Sequence, residues 1–180
     1  MKKILLAIAL FTAASMTVMA QNKNNKSFSD STSNKMISKF KISIGLDEGI
    51  PVGHISKYSS FVMGASVQGE YLPLKELGIT LSANYVYYLG KDGEDGLSML
   101  PVMGGVNFYI TPKVFLSGQV GAAWYINKGS EKDTYFTYAQ GIGFMASKRI
   151  SLLAKYEGIN VGTSRTYSFA GLRVAYNFYK

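Results

Sequence analysis

The chain contains a single histidine, His54, and a serine stands two residues beyond it, Ser56. With Asp47 or Glu48 as the orienting acid, these are the residue types of an activated-serine hydrolase: nucleophile, base and carboxylate. Their setting argues against that use. The pair lies in "DEGIPVGHISKYSS", where Gly and Pro mark a loop, and catalytic geometry needs rigid supports. No catalytic residue is therefore expected. A second group, Asp92, Glu94 and Asp95 in "DGEDG", offers carboxylates for a calcium ion but lacks the twelve-residue spacing and distal Glu of a dedicated loop, so no metal is expected. "GIGFMA" at 141–146 fits the G-x-G-x-x-A spacing of a dinucleotide site. It leads to a turn and not to a helix whose N-terminus could face a pyrophosphate, so no cofactor is expected.

Six further charges stand on the polar faces of alternating stretches: Lys41, Lys155 and Arg173 against Asp47, Glu70 and Glu157. Three of each sign balance. An unpaired buried charge costs several kcal/mol, so a mutually paired network filling a narrow interior is expected, with an open polar conduit as the competing reading.

The elements that must position these side chains are strands. Period-two alternation recurs along the chain, with no sustained helical period. One face carries Phe40, Ile42, Ile44 and Leu46; then Phe61, Met63, Val67 and Tyr71; then Ile79, Leu81, Tyr85 and Tyr87. It continues with Leu100, Val102, Val106, Phe108 and Ile110, with Val114, Leu116, Val120 and Trp124, and with Phe136, Tyr138, Ile142 and Phe144. Leu152, Ala154 and Tyr156, and finally Leu172, Val174, Tyr176 and Phe178, complete eight strands. Gln140 is the one clearly polar intrusion. The opposite faces are mostly Ser, Thr, Asn, Gln and Gly.

Alternation alone allows a soluble lipocalin-like barrel, apolar inside, or a transmembrane barrel, apolar outside. Three features favour the second. The polar face is made of small residues, which suit a narrow interior, where a water-facing surface would be rich in Lys and Glu. Aromatics gather at strand ends, Tyr85, Tyr87, Trp124 and Tyr138 at one rim and Tyr71, Phe108 and Phe178 at the other, as interface girdles would. Strands of roughly ten residues match a tilted crossing of the hydrocarbon core. The expected fold is all-β: an eight-stranded antiparallel up-and-down transmembrane β-barrel. Short connections, "TPK" at 111–113, "ASKR" at 146–149 and residues 72–78, fall at one end. Longer polar ones, "DEGIPVGHISKYSS", "GKDGEDGLS", "NKGSEKD" and "GINVGTSRT", fall at the other.

Bulk composition agrees. Charged residues make up only 17 % of the 180, and there are 13 Tyr, 10 Phe, 19 Gly and no Cys, which excludes disorder over most of the chain, disulfides and thiolate metal sites. Residues 1–20, "MKKILLAIALFTAASMTVMA", have the basic start, short apolar run and small-x-small end of a secretory signal peptide. Residues 21–36 read as a flexible polar leader, and 37–180 as the barrel domain. Without Lys2 and Lys3 the chain keeps 17 basic against 11 acidic side chains, net +6. These are not gathered into a stripe, so no nucleic acid is expected, and anionic lipid head groups suit the charge better.

The phrases "GLDEGIPVG", "MLPVMGGVNFYITPKVFLSGQVGAAW", "LLAKYEGI" and "FAGLRVAYNF" resemble the small outer-membrane β-barrel domain family common in Bacteroidetes, labelled porin-like and related in architecture to OmpX and OmpA barrels. The resemblance covers roughly residues 38–180. It implies a Gram-negative outer-membrane location and a fold more than an activity. The ending, with Gly171, Val174, Tyr176 and Phe178, resembles the C-terminal signal read by barrel-assembly machinery, although Tyr179 and Lys180 extend beyond the usual final Phe. The implied partners are outer-membrane lipids and lipopolysaccharide, with that machinery during biogenesis, and a monomer is expected. The leading function is a structural or surface-interaction role through the loops, around a filled polar lumen. A narrow channel or hydrophobe carrier, as the OmpW barrels suggest, is second. A lipid A-modifying enzyme using His54 and Ser56 is third, because some outer-membrane lipid A hydrolases place a His and a Ser two apart.

Overall fold

The computed structural model describes residues 39–91, 95–126, 133–162 and 165–179. Residues 1–20 and 21–36, read above as signal peptide and leader, lie outside them, as do Asp92 and Glu94. Eight antiparallel strands follow one another: β1 (Lys39–Val52), β2 (Ser59–Leu72), β3 (Leu77–Gly90), β4 (Leu97–Tyr109), β5 (Val114–Tyr125), β6 (Tyr135–Met145), β7 (Ile150–Asn160) and β8 (Thr166–Tyr179). Each pairs with the next, and β8 returns to pair with β1 from Lys41↔Tyr179 to Val52↔Ser168. The barrel is closed, so the sheet has no free edge.

Side-chain direction follows the alternation. The apolar face of every strand points outward: Leu46 is 70 % exposed and Leu81 65 %, and Phe40, Ile79, Val106, Ile142 and Phe178 share that outer surface. Such a belt in water would forfeit the burial that holds a soluble barrel together; in hydrocarbon it is satisfied. The strands, 11 to 14 residues long, meet or exceed the roughly 9–11 needed to cross a bilayer at a tilt. This is the transmembrane-barrel arrangement. Gln140 also faces outward, at the middle of β6.

The two ends differ. Connections 73–76, 110–113 and 146–149 are tight turns and share an end with the start of β1 and the close of β8 (the turn end). The other four connections form the loop end, where a short 3-10 helix, Gly53–Lys57, joins β1 to β2. The strands reach further toward this end than the sequence pattern suggests. "DEGIPV" belongs to β1, and "GIN" at 158–160 belongs to β7. Pro51 is tolerated because β1 pairs there with β8 alone, its ladder to β2 ending at Gly49↔Val62. Pro101 interrupts instead: the β3–β4 ladder breaks between Ala83↔Val102 and Val86↔Met99, opposite the residue that lacks an N–H.

Candidate functional site

The interior decides what this barrel can do, and it has two halves. From the turn end to mid-barrel it is mainly polar, with the buried ring of Phe115 set against Tyr109 at 5.2 Å. Lys155 Nζ lies 2.6 Å from Asp47 Oδ1 and 2.9 Å from Glu157 Oε2. Asp47 Oδ2 accepts a bond from Ser66 Oγ at 2.7 Å. Arg173 donates through Nε to Ser66 Oγ (2.8 Å) and through Nη2 to Ser43 Oγ (3.1 Å). Ser66 therefore relays between the guanidinium and the carboxylate, and the chain of bonds ties β1, β2, β7 and β8 together. Nearer the turn end Lys41 pairs with Glu70, whose Oε1 also accepts from Asn107 Nδ2 at 3.0 Å and from Tyr109 Oη at 2.8 Å. Between these sets Gln119 donates to Thr80 Oγ1 (3.1 Å) and Gln68 Oε1 (3.4 Å), and accepts from Ser82.

All six sequence-predicted interior charges are thus inside, buried and drawn into two clusters. Glu157 and Glu70 are the most enclosed, 0 % and 1 % exposed. Desolvation on this scale is bearable because the charges sum to zero and several of their free valences meet hydroxyls and amides, although Glu157 Oε1 has no bonding partner among the described residues. The mid-barrel space that remains, bordered by Gln68, Asn84, Gln119, Lys155 and Arg173, is a cavity of about 10 Å3. That is room for a water molecule, not for a solute.

The loop half is a correction to the sequence reading, which made the interior polar throughout. Here the inward residues are Val62, Val86, Tyr88 and Phe169, capped by Ile55 of the 3-10 helix, with Met99, Ala123 and Ile159 beside them. Both faces of these segments are apolar, as in "FVM" at 61–63 and "YVYY" at 85–88, so alternation had no contrast there. Phe169 marks the border, with Lys155 Nζ 5.2 Å from its ring centre.

The predicted girdle residues all point outward. Tyr85, Tyr87, Trp124 and Tyr138 stand toward the loop end, and Tyr71, Phe108 and Phe178 at the turn end. Trp124 Nε1 donates to Thr134 Oγ1 at 3.1 Å, and Tyr85 shares a 3.0 Å bond with Ser98. Of the C-terminal set, Val174, Tyr176 and Phe178 lie on the outer face of β8, the last two with rings 4.9 Å apart. Gly171 pairs with Gly49 on β1, and a Cβ there would stand 3.0 Å from Gly49 Cα.

His54 and Ser56 sit on the 3-10 helix. Ser56 Oγ donates to Gly53 O at 2.7 Å, and the His54 ring rests 5.5 Å from that of Tyr58. The hydroxyl proton is thus engaged by its own turn. Asp95 is exposed, and among the described residues no three His, Asp or Glu side chains gather as a metal would need.

No family model matches the chain, and no curated protein matches it in sequence. Solved structures do match its shape. The attachment invasion locus protein Ail of Yersinia pestis aligns with a TM-score of 0.57 at 20 % identity, covering 78 % of this chain and 99 % of that one. The N-terminal β-barrel domain of Pseudomonas aeruginosa OprF gives 0.57 at 19 % identity, with the same coverage. Neisserial surface protein A gives 0.53 at 11 % identity, covering 77 % and 97 %. At these identities the likeness carries the fold: a small eight-stranded barrel of the kind OmpX and OmpA typify.

Proposed function

We propose that the chain is an exported integral outer-membrane protein that acts at the cell surface through its loop end, on a barrel closed to ions. The observation that carries this reading is the filled mid-barrel, where a cavity of only about 10 Å3 lies beside the Lys155 and Arg173 networks. Residues 1–20 would direct export, the outward apolar belt would meet lipid and lipopolysaccharide, and the β8 ending would be read by the assembly machinery. The rim aromatics would lie at the two bilayer interfaces. The protein is taken as a monomer that binds no nucleic acid. Ail, a protein of similar fold, is named for attachment and invasion, which supports a reading in which the loops meet partners.

Planar-bilayer recording tests the closed lumen. The parent chain is expected to give no conductance steps, and Arg173→Ala to lower the unfolding temperature without opening a current. Steady steps from the parent would establish the channel or carrier reading instead. The enzyme reading has the engaged Ser56 hydroxyl against it; deacylated lipid A in cells expressing the parent but not Ser56→Ala would restore it.

A further inference from the structure

At the loop end the apolar half of the interior opens into a cup of about 310 Å3. Its floor is the buried ring of Tyr88, held edge-on to Phe169 and tilted against Tyr167, both at 6.3 Å between ring centres. Its walls include the His54–Tyr58 ring pair and Tyr167. Asp95 and Arg165, both exposed, stand at the mouth. The walls are braced. Ile55 anchors the 3-10 helix in the apolar cluster, Lys91 N donates to Tyr58 O at 2.9 Å, and Lys91 Nζ donates to Ser56 O at 3.0 Å.

Three properties of this lining select a ligand. Rings on floor and walls suit a compact ring whose faces are C–H bonds, since tyrosines supply broad contact at little entropic cost. One carboxylate, one guanidinium and one imidazole give almost no net charge, which disfavours polyanions and polycations alike. Asp95 accepts and Arg165 donates, so the mouth is matched to groups that do both, and hydroxyls are such groups. A flat hydrocarbon would leave both charges unanswered. The volume lies at the low end of small-molecule pockets, roughly 300–1,000 Å3, room for one or two sugar rings and not a long chain.

We propose that this cup binds a neutral sugar, a mono- or disaccharide unit, with Tyr58, Tyr88 and Tyr167 against its ring faces and Asp95 and Arg165 on its hydroxyls. The inference rests on the surface-facing reading and names what that surface would hold.

The test uses the full chain folded in dodecylphosphocholine, a detergent without a sugar head group, and saturation-transfer NMR. Glucose, galactose, N-acetylglucosamine and maltose are the probes, with glucuronate and p-cresol as charged and flat aromatic counter-probes. Transfer to the ring protons of at least one neutral sugar is expected, falling about fivefold or more in Tyr167→Ala and in Arg165→Ala, as loss of one good contact would give. Tyr167→Phe, which keeps the ring, should retain it. The proposal is overturned by no transfer from any neutral sugar, by transfer unchanged in both Ala variants, or by transfer confined to glucuronate or p-cresol. Each preparation is also run on a gel unboiled and boiled. A missing mobility shift would sink the closed barrel and the cup with it; a normal shift without sugar transfer would sink the cup alone.

Discussion

The two halves of the barrel interior solve one problem by opposite means. Both must exclude water from a space eight strands wide, about the width that side chains can fill. The turn half does so with matched polarity: two ion-pair clusters whose members also bond Ser43, Ser66, Asn107 and Tyr109. The loop half does so as a soluble core does, by packing Val62, Val86, Tyr88, Met99, Ile159 and Phe169. The difference teaches where the driving forces lie. Lipid is as apolar as the outward side chains, so the outer belt fixes location and contributes little to cohesion between strands. Cohesion must come from within. Directional bonds fix register in the turn half, and apolar burial seals the end that carries the loops.

The largest expected effect comes from breaking the polar half at its hub. Lys155→Met leaves Asp47 and Glu157 enclosed without their shared cation, and removing one member of a buried ionic set costs about 3–5 kcal/mol. Urea unfolding in micelles, followed by Trp124 fluorescence, should show this as a much lower midpoint. Adding Glu157→Gln should recover a large part, because Asp47 then balances Arg173 through Ser66 and the set is again neutral. An unchanged midpoint in the single variant would mean that water reaches these charges, and the contrast between the halves would disappear.

Next in size is the apolar half. Phe169→Ala removes a fully buried ring and should cost about 3 kcal/mol, the low end for such a truncation because the site lies under the open cup. It should still pass no current in a planar bilayer, since the constriction at Lys155 and Arg173 is untouched. A current from Phe169→Ala, with none from Arg173→Ala, would make the loop half the seal.

Much of this architecture is legible in the sequence, and the misses have a common cause. Strand number, outward faces and the six interior charges follow from alternation, because a lipid belt beside a polar interior gives period two its greatest contrast. Where both faces are apolar the signal vanishes, and so the cluster around Tyr88 could not be read. Gly49 and Pro51 look like a loop, yet they extend β1: Gly49 pairs with both neighbouring strands, and Pro51 is tolerated because β1 pairs there with β8 alone. The glycines also hide a role that only neighbours reveal. A Cβ on Gly45 would stand 2.7 Å from Arg173 Nε and 3.0 Å from Ser66 Oγ, so this glycine is the berth across which the guanidinium reaches its hydroxyls. The cup needs the 3-10 turn to meet the β3–β4 and β7–β8 connections, and no local pattern encodes such a meeting.

The smallest effects give the sharpest comparison, because each half holds a tyrosine whose hydroxyl can be removed without changing the ring. Tyr109 Oη donates to Glu70 at 2.8 Å and accepts from Lys41 at 3.0 Å. Tyr109→Phe should therefore cost about 1.5 kcal/mol, as loss of a bond to a charged group does. Tyr88 Oη is buried, and no protein group among the described residues bonds it. Tyr88→Phe should be neutral, or stabilising by up to about 1 kcal/mol, since it removes a desolvated hydroxyl and keeps the contacts to Phe169 and Tyr167. Both variants are read in the same urea titration. If they cost the same, the interior is one polar medium from end to end; if they differ in sign or by more than about 1 kcal/mol, the boundary runs where Phe169 meets Lys155.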